Sequence, residues 1–300
     1  MEEISAKKVI VTSLIVDLID IVTNIVVALL TGSIVMAAET LQGMADLTAV
    51  GFLLIGLIRS NRPADNAHPF GYGREIYFWT LISSIIMLTF TATLSFFLGL
   101  QRFLHPEILD QLYWAYIVLI IAVLTNGYAL SLDIKRILGK KPLSLLLKEF
   151  FQSSKIETKT TFVLDLMGIS AAIFGLLSLI SYKVFSNASL DGVGAMGMGV
   201  ILAILSYFLI MGVRDLLIGK RASRDIEKNI KKLTLSFPDV REIVDLKTEN
   251  SGNHILIALD VNLKNKLTTD QIEKLVREIE NKIKKDIPSA KEIQIELKTS

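Results

Sequence analysis

Long apolar runs alternate with short polar breaks over the first two thirds of the chain, and then the pattern changes. A helix needs about 20 apolar residues to cross a bilayer. Six runs of that length occur, at roughly 9–30, 36–58, 76–103, 112–134, 160–182 and 196–218. The break between the first two is only Thr31-Gly32-Ser33-Ile34-Val35, which predicts a tight helical hairpin. Beyond Ile218 the apolar residues recur at shorter, amphipathic intervals. Ser223 stands where it can cap a helix carrying Ile226, Ile230, Leu233 and Phe237 on one side. Ile243–Lys247 reads as a strand and Asn250-Ser251-Gly252-Asn253 as a turn. Ile255, Ile257, Leu259, Val261 and Leu263 alternate along a second strand. Thr268 and Gln271 form a capping-box pattern ahead of a helix with Ile272, Leu275, Val276, Ile279 and Ile283, and Ile293, Ile295 and Leu297 alternate along a last strand. The predicted architecture is a six-helix transmembrane bundle over 1–218, followed over 219–300 by a C-terminal α+β domain of αββαβ, ferredoxin-like order.

Composition agrees with a membrane class: 51% of the 300 residues are hydrophobic and mean hydropathy is +0.51. The first apolar run has no small-residue cleavage pattern after it and reads as a retained span. A net charge of +2 gives no field aimed at nucleic acid, and the absence of Cys excludes disulfides and thiolate metal sites. Lys7, Lys8, Arg59, Arg62, Arg74, the basic 135–159 stretch, Arg214, Lys220 and Arg221 fall on one side of the six runs. The positive-inside rule makes that side cytoplasmic, with both termini and the C-terminal domain on it. The expected location is therefore a cell (inner or plasma) membrane. An enzyme is not expected, because no nucleophile–base set, phosphate loop or catalytic metal cluster can be found.

Candidate chemistry sits inside the apolar runs. Asp46 and Asp165 lie in stretches otherwise suited to lipid, and each costs roughly 2.5–3.5 kcal/mol to insert. Residues four apart share a helix face, so Gln42 pairs with Asp46 and Thr161 with Asp165. Packing of the second span on the fifth would bring four oxygen donors around one cation, whose charge two carboxylates neutralise. The competing reading makes each Asp a helix-packing group paired with Asn126, Thr48 or an Arg. Asp17, Asp20, Asn24 and Glu39 are further polar residues whose roles stay open at this level.

At these residues the chain resembles the cation diffusion facilitator, or cation efflux, family. The most specific match is the loop Pro63-Ala64-Asp65-Asn66-Ala67-His68-Pro69-Phe70-Gly71-Tyr72-Gly73-Arg74-Glu75, with Gly32-Ser33 and Asp191 also fitting. The resemblance implies a homodimeric secondary transporter that exports a divalent metal from the cytoplasm by proton exchange. Its transport site corresponds to Gln42, Asp46, Thr161 and Asp165, with Gln42 and Thr161 standing where the family has His or Asp. Coupling to protons would then run through Asp46 and Asp165. An oxygen-only set favours a hard ion such as Mn²⁺, with Zn²⁺, Fe²⁺ or Co²⁺ as the alternative cargo. The metal is substrate, and no cofactor is expected. The partners are the ion, protons, the lipid bilayer and a second copy of the chain. A non-transporting membrane sensor or scaffold is the competing class. Asp65 and His68 match a small loop metal site, here short of one His at Tyr72 and so weak. A shaped loop without metal is the favoured reading there.

Overall fold

The computed structural model describes residues 6–153, 156–252, 254–264 and 267–298, with no side-chain description for 6–16 and 152. In chain order the helices are α1 Ala6–Thr31, α2 Ile34–Ser60, α3 Glu75–Leu104, α4 Leu112–Leu138, α5 Leu146–Gln152, α6 Ile156–Phe185, α7 Ser189–Leu217, α8 Arg224–Leu235 and α9 Thr269–Asp286. The strands are β1 Val240–Ser251, β2 His254–Leu263 and β3 Ala290–Leu297. Among the described residues, five helices (α2, α3, α4, α6 and α7) have the length and hydropathy of membrane spans. The chain is a multi-pass membrane protein with a small C-terminal α+β fold. The chain forms two compact units, one of residues 6–55, 79–146 and 157–212 and the other of 56–78, 147–156 and 213–298.

In the first unit, α1 and α2 meet at a turn where Gly32 adopts φ +66°, a conformation that favours glycine. A helix that starts inside an apolar bundle leaves its first N–H groups without partners. For α2 these are satisfied from α7. Asp191, fully buried, accepts from Ser33 Oγ at 2.6 Å, Ile34 N at 2.8 Å and Val35 N at 3.2 Å. Arg102 of α3 donates to the Gly32 carbonyl at 2.9 Å and pairs with Glu107 at 2.9 Å. Around this anchored turn lies an apolar core that includes Val27, Val35, Met36, Leu119, Ala171, Leu179 and Met198. Within α3, residues Met87–Ala92 form a π-helical turn, which no simple hydrophobic period predicts.

The second unit contains the αββαβ order. β1 pairs antiparallel with β2, and β2 pairs parallel with β3 through the α9 crossover, giving the sheet order β1-β2-β3. The alternating Ile255, Ile257, Leu259 and Val261 are all buried against Ile230, Leu275, Ile279 and Ile283 of the two helices. Ser223 caps α8 and the Thr268–Gln271 box caps α9 with both reciprocal bonds formed. β1 is longer than the Ile243–Lys247 core of the pattern, because its outer residues pair with β2 even where they do not alternate. Asn253 of the turn lies outside the described residues. Glu227 of α8 pairs with Arg221 and accepts from Thr248 Oγ1 at 2.8 Å. Burial acts to raise its pKa, but these donors outweigh that effect and hold the carboxyl below the ordinary glutamate range.

The loop of the second unit is closed on itself. Asp65 Oδ1 accepts from His68 N at 2.7 Å and Ala67 N at 3.0 Å, and Oδ2 accepts from Tyr72 Oη at 2.7 Å. The His68 and Tyr72 rings lie against each other with centroids 4.1 Å apart. Arg74 pairs with Glu249 of β1, and Tyr77 Oη accepts from Gly252 N at 2.9 Å. Gly73 lies so close to the Ser251 carbonyl that a Cβ would clash there.

Candidate metal centre

Four helices of the first unit supply one acidic cavity of about 510 Å³. α1 contributes Asp17 and Asp20, α2 contributes Glu39, Gln42 and Asp46, α4 contributes Thr125 and Asn126, and α6 contributes Asp165. These five carboxylates share the lining with no Lys, Arg or His among the described residues. Helical periodicity explains the α2 set: Glu39, Gln42 and Asp46 recur three and four residues apart and so stack along one face. Gly43, between them, gives α1 room, since a Cβ there would stand 3.0 Å from Ile21 Cγ1.

Local hydrogen bonds orient the donors. Gln42 Nε2 donates to both Asp46 oxygens, at 3.0 and 3.1 Å, which leaves the Gln42 carbonyl oxygen as a buried acceptor without a partner. Asn126 Nδ2 donates to the Ala122 carbonyl at 2.9 Å. Its Oδ1 faces α6, where a Cβ at Gly168 would lie 2.5 Å away. Asn24 Nδ2 donates to Asp20 at 3.0 Å. Each amide therefore spends its N–H group on a neighbour and keeps an oxygen. Among the described residues no three His, Cys, Asp or Glu side chains come together closely enough to hold an ion alone. A cation in this cavity would have to combine carboxylates with amide oxygens.

Of the residues singled out from sequence, Gln42, Asp46 and Asp165 line this one cavity, although they come from two different helices. Thr161 is not among the lining residues, and its hydroxyl donates to the Thr158 carbonyl at 3.3 Å. Asp17, Asp20 and Glu39, whose roles sequence left open, line it as well. Asn126 was legible only as a packing partner. The available signal was a lone amide inside an apolar span. Asp65 and His68 lie in the other unit, where Asp65 spends both oxygens on the loop itself. The Tyr72 hydroxyl is the first cause of a lowered Asp65 pKa, followed by the His68 N–H.

A multi-pass membrane protein with a cavity lined by acids, and by no bases among the described residues, has the features expected of proteins that handle cations within the bilayer. The match to family models makes this specific. Residues 10–218 match the cation efflux transmembrane domain and residues 222–298 the cation efflux protein cytoplasmic domain, so the chain belongs to the cation efflux family. The family is one of transporters rather than enzymes. The chain is 29% identical over 250 residues to the proton-coupled zinc antiporter SLC30A9 of Xenopus laevis, covering 82% of this chain and 44% of that protein. It is 25% identical over 300 residues to the manganese efflux system protein MneP of Bacillus subtilis, covering 98% and 96% respectively. Metal tolerance protein C4 of Arabidopsis thaliana is 24% identical over 73% of this chain and 48% of its own length. The chain thus spans less than half the length of its SLC30A9 relative.

Proposed function

We propose that this protein is a secondary transporter that exports a divalent metal cation from the cytoplasm in exchange for protons. The observation that carries the reading is that Asp46, Asp165 and the free Gln42 carbonyl oxygen line one cavity with no positive side chain among the described residues. A divalent ion there offsets the cost of carboxylates within the apolar helices, and an alternating exposure of the cavity would move it. The metal ligands are Asp46, Asp165 and Gln42, with Asn126 as the added amide. Thr161 joins only in another state of the cycle. Protons replace the metal on Asp46 and Asp165. In this reading α1 is the sixth span, both termini are cytoplasmic, and the chain works as a homodimer in the cell membrane.

The cargo is Mn²⁺. Two observations support it: among the described residues the cavity offers hard oxygen donors, and a relative that matches along nearly its whole length is a manganese efflux protein. The Asp65–His68 loop works as a hydrogen-bonded shape rather than a metal site.

Flux of Mn²⁺, Zn²⁺, Fe²⁺ and Co²⁺ into proteoliposomes, with and without a pH gradient, tests this. Mn²⁺ flux that rises with the gradient and disappears in both Asp46→Asn and Asp165→Asn is expected. Zn²⁺ flux alone would overturn the choice of ion, and no flux of any metal would overturn the transport reading in favour of a sensor or scaffold.

A further inference from the structure

One divalent ion cannot neutralise the cavity when all five of its carboxyls are ionised. Five carboxylates line it, and a single ion between Asp46 and Asp165 leaves Asp17, Asp20 and Glu39 uncompensated. The surplus is not evenly spread. Asn24 and Glu39 are 8 residues before and 6 residues after the Gly32–Ser33 turn, so at 1.5 Å per residue they stand nearly level on facing helices. Both are buried, at 1% and 4% exposure, and both present an oxygen without a donor, Asn24 Oδ1 and Glu39 Oε2. Asp20 joins them through the Asn24 amide at 3.0 Å. Asp46 lies seven residues further along α2, about 10 Å away. These two buried oxygens, one on a carboxylate and one on an amide, call for a cation or a donor, and the more exposed Asp20 stands beside them as a second carboxylate.

We infer that Glu39, Asp20 and Asn24 form a second divalent-cation station, nearer the α1–α2 turn than the Asp46–Asp165 station. The inference rests on the transport reading above and extends it. With both termini inside, the turn faces outward, so the second station is the next stop for an outgoing ion. Two ions cancel four of the five charges, and repulsion between them lowers the affinity of each. That is what a carrier needs if it is to release its cargo. The hydrogen bond from Asn24 to Asp20 holds one carboxylate in place before the ion arrives.

The test is a count of bound Mn²⁺ per chain. The full-length protein, in nanodiscs of zwitterionic lipid, is dialysed against Mn²⁺, and the free ion is read by electron paramagnetic resonance. Two ions per wild-type chain are expected. Glu39→Gln combined with Asp20→Asn should leave one, Asp46→Asn should leave one, and the combined variant none. Glu39→Asp keeps the carboxylate and serves as the control for folding: it should retain two ions, with the weaker affinity reduced roughly tenfold. One ion per wild-type chain, lost in Asp46→Asn and kept in Glu39→Gln, overturns the second station while leaving the transport reading intact. A wild-type chain that binds none overturns both the station and Mn²⁺ as cargo.

Discussion

Two aspartates of the first unit, one fully buried and one half-buried, are treated in opposite ways. Asp191 receives three donors, from Ser33 Oγ, Ile34 N and Val35 N, and ties α7 to the start of α2. Asp46, three turns along the same α2, receives one side-chain amide from its own helix. Asp165 has a side-chain hydrogen bond with another carboxyl, Asp133 of α4, rather than a set of N–H donors. The interior can satisfy a carboxylate fully when the role is structural. Where it leaves oxygens facing a shared cavity, the reading proposed above makes the missing partner a ligand. Asp191 is fully buried with three donors, whereas Asp46 is half-buried with one amide, so burial and donors change together.

The sharpest way to break this comparison is to exchange the outcomes. In the cavity, Asp46→Asn should abolish metal flux, by at least ~10²-fold, because a ligand and half of the compensating charge are lost together. The same change should leave folding unharmed or improve it, since an uncompensated buried charge is removed. Flux assays and chemical denaturation of the same preparation read both quantities. At the turn, Asp191→Ala should behave in the reverse sense. It leaves the Ser33, Ile34 and Val35 donors buried without an acceptor, and about 3 kcal/mol of stability is expected to go. If Asp46→Asn destabilises as much as Asp191→Ala, both are packing groups and the comparison fails.

A smaller effect separates the two expected first ligands. Gln42 lines the cavity and presents a free oxygen, whereas Thr161 bonds to its own helix. Gln42→Ala should weaken metal affinity roughly 10–100-fold and release Asp46 from its amide. Thr161→Ala should change it by less than about threefold. Equal losses in the two variants would mean that a state with Thr161 turned into the cavity dominates binding.

The difference between these residues marks how far the sequence could be read. The spacing of apolar runs gives the five helices of spanning character among the described residues, and the alternation at Ile255–Leu263 gives the central strand, because both follow from which face is buried. Asp46 and Asp165 stand out for the same reason, as charges in the wrong solvent. What spacing does not carry is rotation. The four-residue rule places Thr161 and Asp165 on similar faces, but four residues turn a helix 40° past a full circle, and α6 presents Asp165 and Gly168 instead. Contacts between helices distant in sequence are hidden too. Asp191 meets Ser33 across 158 residues, and Asn126 reaches α6 only because Gly168 has no side chain. The π-helical turn in α3 likewise leaves no trace in a hydrophobic period.

The smallest effect lies in the second unit, where Asp65 repeats the Asp191 arrangement at the surface. The Tyr72 hydroxyl and the His68 N–H hold its pKa below the ordinary value. A carboxylate with a depressed native pKa adds stability above its unfolded value near 3.9, and that contribution is lost as pH falls through the lower native value. The loop should therefore keep its form from neutral pH down to about 4, and loosen only below that. Tyr72→Phe removes the first cause, so the Asp65 titration midpoint should move up toward 3.9. Carboxyl-carbon NMR of the labelled protein reads this directly. The loop hydrogen bonds from Ala67 and His68 remain in that variant, so the shift should be partial. An unmoved midpoint would mean that Tyr72 does not hold Asp65 in solution. The carboxylate would then be free to take a metal with His68, and the loop would join the cavity rather than the anchor in the contrast drawn between Asp46 and Asp191.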